Sequence, residues 1–88
     1  MPDSVSKKEP PKLKKHLIEP EAIRSIPEAV ARKYNVVPLE LKGNILKVAM
    51  ANPADLIALE ALEATTHMRI EPEAASAQEV VEAIDFNY

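Results

Sequence analysis

The chemistry open to this chain is bounded by its rare residues: two histidines, one glycine and no cysteine in 88 positions. Neither His16 nor His67 has a carboxylate or second histidine three or four residues on along a convincing helix. A zinc site needs three or four soft or imidazole ligands, which the chain lacks. A serine nucleophile needs a neighbouring base. Ser4 and Ser6 lie in a proline- and lysine-rich stretch, and Ser25 and Ser76 read as turn and cap residues. Gly43 alone cannot build a phosphate-cradling loop or a dinucleotide fingerprint, since both need several glycines for close backbone approach. Glu60 and Glu63 are three apart, a spacing that suits paired acid and base carboxylates. No cleft-forming loops accompany them, so they read as a solvated helix face. Arg24, Arg32 and Arg69 are the guanidiniums available to grip a phosphate or stack on a base. The expectation is a non-enzymatic domain without metal or cofactor.

Composition supports one small folded unit. The hydrophobic fraction of 47% is enough for a core, and the 3% aromatics make that core aliphatic and leave little for stacking bases. Charge is uneven. Residues 1–18 hold five lysines against Asp3 and Glu9, a net of +3, whereas residues 19–88 hold six basic against twelve acidic side chains, a net of −6. An acidic folded part argues against nucleic acid as its partner. No apolar run reads as a signal peptide or membrane span, so direct membrane insertion is not expected and a cytoplasmic location is.

Residues 1–16, with Pro2, Pro10 and Pro11 among lysines, read as a flexible basic tail, and 17–88 as one domain. Glu19-Pro20-Glu21 opens a short turn with Ile23 and Ile26 inward. Pro27 then starts a helix with Val30 and Tyr34 buried and Asn35 as its stop. Val37, Leu39 and Leu41 alternate against Leu46, Val48 and Met50 around Gly43-Asn44, which predicts a hairpin. Its register pairs Leu41 with Leu46, Glu40 with Lys47, Leu39 with Val48 and Val37 with Met50. Pro38 is expected to face outward on an edge strand. Asn52 caps a helix over 53–66, with Leu56, Leu59, Leu62 and Thr66 as one stripe and Ile57, Ala61 and Ala64 as a second. A strand over 67–72 turns Met68 and Ile70 inward, and a capping box at Ser76–Glu79 opens the last helix, 77–86. The fold class is therefore α+β. The order is α-β-β-α-β-α, with a three-stranded mixed sheet of order 1-2-3 and helices covering one face.

Residues 26–62, from Ile26-Pro27 through Val30-Ala31-Arg32-Lys33-Tyr34 and the Gly43-Asn44 hairpin to Val48-Ala49-Met50-Ala51-Asn52-Pro53 and Asp55-Leu56, carry a resemblance. They resemble the N-terminal accessory domain of type II secretion and type IV pilus-assembly ATPases, and the similarity extends over about 17–86. The resemblance implies a non-catalytic domain linked to an ATPase engine. It implies docking on the cytoplasmic part of an inner-membrane platform protein, and hence a cytoplasmic place peripheral to that membrane. Some members instead bind cyclic di-GMP, through a motif with an Arg-Leu-Gly start and a later glutamine. This chain has no Arg-Leu-Gly, and its one glutamine is Gln78. Two functions follow as expectations. In the first, Arg32, Lys33, Ile57, Ala61 and Ala64 contact a protein partner. In the second, Arg24, Arg32 and Arg69 hold a cyclic dinucleotide.

Overall fold

Asn35 ends a helix by turning into the left-handed region (φ 56°), and the chain passes directly into the first strand. Asparagine tolerates this conformation better than most residues, as the sequence predicted. The computed structural model describes residues 18–88, so the expectation for a tail over 1–16 falls outside the described residues. The elements are α1 (Pro20–Ser25), α2 (Glu28–Tyr34), β1 (Val36–Lys42), β2 (Ile45–Met50), α3 (Leu56–Thr66), β3 (Arg69–Ala74) and α4 (Ala77–Asn87). The sheet order is β1-β2-β3, with β1 antiparallel and β3 parallel to β2. The α+β class and the mixed sheet are as expected, with α3 as the crossover between the parallel strands.

The hairpin register is half as expected. Next to the turn, Leu41 pairs with Leu46 and Glu40 with Lys47. A bulge at Leu39 then shifts the ladder, so Pro38 pairs with Val48, Val37 with Ala49 and Val36 with Met50. The expected pairs Leu39–Val48 and Val37–Met50 are thereby corrected. The physical reason is that Val36, Val37, Pro38 and Leu39 are all buried, so alternation cannot specify the register there. Pro38 is likewise buried rather than turned outward. Val36 and Met50 share one face, Val37 and Ala49 the other, and all four are inaccessible. The sheet is therefore covered on both faces at that end, where one covered face was expected.

Among the described residues both sheet edges disfavour a further strand. The Leu39 carbonyl accepts from the Glu19 N–H at 3.2 Å, and the Leu41 N–H donates to the Glu19 carboxylate at 3.1 Å. On the far side, Arg69 N–H donates to Asn44 O at 2.8 Å and Ala75 N–H to Met50 O at 3.0 Å. Odd-numbered residues of β3 thus turn their amides to β2, and Pro72 stands at the free edge without an N–H. With exposed Glu71 and Glu73 beside it, this edge resists strand addition.

One aliphatic core joins the elements, with Ile26, Leu46, Val48, Met50, Leu62 and Ile84 fully buried. Each such side chain contributes about 1.5–3 kcal/mol. The capping box of α4 is present, with Ser76 Oγ accepting from Glu79 N–H at 3.0 Å and Glu79 Oε1 accepting from Ser76 N–H at 3.1 Å. Tyr88 closes the far end of α4, its hydroxyl donating to Ile26 O at 2.8 Å.

Candidate functional site

The helix α3 is held at both ends by its own side chains. Asn52 does not cap it. Asn52 Oδ1 accepts from Ala54 N–H at 3.2 Å, a local turn, and Asp55 is the cap, accepting from Ala58 N–H at 3.1 Å. The helix therefore begins at Leu56 and not at Pro53. Pro53 and Ala54 instead form the turn, because the nearer Asp55 side chain takes the exposed amide. At the other end Thr66 Oγ1 donates to Leu62 O at 2.8 Å and accepts from Met68 N–H at 3.1 Å. His67 adopts φ 59° and its N–H donates to Glu63 O at 2.8 Å. His67 thus ends a helix, where a strand start was expected, and β3 begins two residues later.

Anchored this way, α3 packs on β3 with Ala58 and Leu62 buried. Leu59 and Ala61 are half-buried. Leu56 and Ile57 are 70% and 74% exposed. Leu56 was expected in the buried stripe with Leu59 and Leu62. At about 100° per residue it falls instead opposite the Ala58–Leu62 side, in one outward arc with Glu60, Ala64 and Ile57. Of the second stripe, Ile57 and Ala64 are exposed and Ala61 sits at its margin.

The basic candidates are placed elsewhere. Arg32 is exposed, but its guanidinium is engaged. Nη2 donates to Asp85 Oδ1 at 2.8 Å and Nε to Glu28 Oε2 at 2.9 Å. These two bonds, that to Asp85 first, hold the Arg32 pKa above its ordinary value. Lys33 Nζ lies 5.4 Å from the centre of the Tyr34 ring. Arg24 is exposed in the last turn of α1. Arg69 is exposed opposite Ile45, beside the hairpin turn. Arg32 precedes Val36, at the other end of β1, so about 20 Å of strand separates the ends that carry Arg32 and Arg69. The fold does not gather the three arginines.

Among the described residues no group of His, Asp and Glu could hold a metal ion. None of their helices is long and apolar enough to cross a membrane. Leu56 is the exposed side chain that apolar spacing does not single out. The signal for it was Asp55: a cap there puts Leu56 in the first turn and turns it away from Ala58.

The model of the MshEN domain family matches residues 10–88. The type IV pilus assembly ATPase PilB of Myxococcus xanthus (strain DK1622) is 38% identical over 76 residues, covering 86% of this chain and 13% of that protein. PilB of Acinetobacter baylyi (strain ATCC 33305 / BD413 / ADP1) is 34% identical over 47 residues, 53% of this chain and 8% of that protein. The chain therefore spans about an eighth or less of these relatives. The structure of MshE with cdg superimposes with a TM-score of 0.80 at 27% identity, covering 97% of this chain and 63% of that one. The N-terminal domain of XpsE superimposes with a TM-score of 0.72 at 14% identity, a likeness of fold that covers 96% of this chain and 61% of that one. The resemblance first read from Ile26 to Leu62 thus holds along nearly the whole chain, and the chain belongs to the MshEN domain family.

Proposed function

We propose that this chain is the N-terminal accessory domain of a type IV pilus or type II secretion ATPase. In this reading it is non-catalytic, is joined in its parent to the ATPase engine, and docks on the cytoplasmic part of an inner-membrane platform protein. Its place is then cytoplasmic and peripheral to that membrane. The observation that carries the docking is the exposed apolar pair Leu56–Ile57 on a helix anchored at both ends. Large adjacent aliphatics in the open, on a helix anchored at both ends, supply apolar area for a protein contact. Ile57, Ala61 and Ala64 form the contact on α3. Arg32 and Lys33 form a second patch, in which Arg32 acts through the α2–α4 pairing it already makes. Ile57→Glu is expected to abolish binding of the platform's cytoplasmic domain while the circular dichroism spectrum stays native. A variant that unfolds, or one that binds unchanged, would remove α3 from the account.

A second reading has its own support, the likeness to the structure of MshE with cdg. In it the domain senses cyclic di-GMP through Arg24, Arg32 and Arg69. Saturable amide shifts at those three residues on titration with cyclic di-GMP would favour it over docking. The separation of Arg32 from Arg69 and the engagement of Arg32 by Asp85 weigh against it.

A further inference from the structure

Among the described residues both sheet edges disfavour an added strand, which leaves the helix faces as the open surfaces for a partner. Glu19 occupies the free side of β1, and Pro72 interrupts that of β3. Among those faces α3 stands out by its exposed apolar side chains. Its outward arc holds Leu56 and Ile57, the two most exposed large apolar side chains of the described residues. It is also anionic without internal compensation. Asp55, Glu60 and Glu63 lie in a stretch from Asn52 to Met68 that contains no lysine or arginine. Glu60 and Glu63 have no ion-pair partner among the described residues, whereas the single charge of Arg32 bridges Glu28 of α2 and Asp85 of α4. Ala64 lies within the arc and Ala61 at its margin, and these small side chains let a second helix approach to about 8–10 Å between axes.

We infer that this face of α3 docks a basic amphipathic helix of another chain. Its leucine-type side chains sit over Ala61 and Ala64 against Ile57 and Leu56, and its lysines or arginines pair with Glu60 and Glu63. Opposite charge at Glu60 within the arc and Glu63 beside it sets orientation and encounter rate, and the apolar pair supplies the anchor. The inference rests on the docking reading for the identity of the partner, and on the face itself for the partner's chemistry.

The probe is a roughly 15-residue Leu/Lys peptide with its leucines on one helical face, titrated into the isotope-labelled chain. Its counterpart carries glutamate for lysine. Saturable amide shifts confined to residues 55–67 are expected with the lysine peptide and none with the glutamate peptide. Raising salt from about 50 to about 500 mM is expected to weaken binding about tenfold. Ile57→Ser, checked for native spectral dispersion, is expected to weaken it about 30-fold. The charge reversal Glu60→Lys with Glu63→Lys leaves the apolar pair intact and is expected to switch preference to the glutamate peptide. Absent shifts, shifts shared equally with Glu71, Glu73 and Glu79, or indifference to charge reversal would overturn the inference. A platform domain that binds away from α3 also overturns it while leaving the docking reading in place. A platform domain that does not bind at all, with the lysine peptide still mapping to α3, removes that reading and keeps this one.

Discussion

Tyr88 is a single side chain that fastens two ends of the fold. Its hydroxyl donates to Ile26 O at 2.8 Å and lies 3.3 Å from Ile23 O, joining α4 to the α1–α2 junction. Burial first, and the charge of Glu28 second, push its pKa up to about 12. An exposed phenol titrates near 10. The folded state therefore holds the proton more tightly, so the stability linked to this bond is complete below about pH 10 and is lost as pH rises toward about 12. In a Tyr34→Phe background, ultraviolet phenolate absorbance is expected to titrate near the higher value, and a midpoint near 10 would contradict the buried bond. A second expectation concerns His67, held at φ 59° as the last cap of α3. Glycine reaches that conformation without strain, so His67→Gly is expected to stabilise the domain by up to about 1 kcal/mol in urea unfolding, whereas His67→Ala is not. Asn35, at φ 56°, was legible as a stop because asparagine closing a helical pattern is itself a signal. His67 was not, because His-Met-Arg-Ile alternates as a strand does and only the Glu63 hydrogen bond reveals its role.

The elements separate what local pattern specifies from what packing decides. Near Gly43-Asn44, turn chemistry and alternation agree, and the pairs Leu41–Leu46 and Glu40–Lys47 were readable. Four residues further the strand is buried on both faces and carries a bulge, whose partner Glu19 lies 20 positions earlier in the chain than Leu39. No local pattern announces such an edge contact. The same holds for α3. Spacing alone placed Leu56 with Leu59, but the helix leans on β3 along Ala58 and Leu62, and its first turn stays open. The cap assignment is open to test by substitution. Asp55→Ala is expected to cost about 1 kcal/mol in denaturant midpoint, and Asn52→Ala less, since Asn52 holds only the preceding turn. A larger loss from Asn52→Ala would restore it as the cap.

For the whole molecule, family membership was legible because a run of about forty residues keeps the helix, the hairpin and the Asn-Pro-x-Asp junction in order. The surface was legible only in part. Ile57 and Ala64 face outward as a second stripe requires, but Leu56 joins them only once the helix start is known. The arginines were visible as residues and not as an arrangement, since their separation depends on which end of β1 each flanks. In the proposed docking the domain acts through the outer face of α3. The most direct test is calorimetric titration of the platform protein's cytoplasmic domain with the native chain and with Ile57→Glu. Saturable binding by the native chain is expected, with a loss of about 30-fold or more in the variant and unchanged circular dichroism. Equal binding by both, or no binding by the native chain alongside a saturable response to cyclic di-GMP, would contradict it.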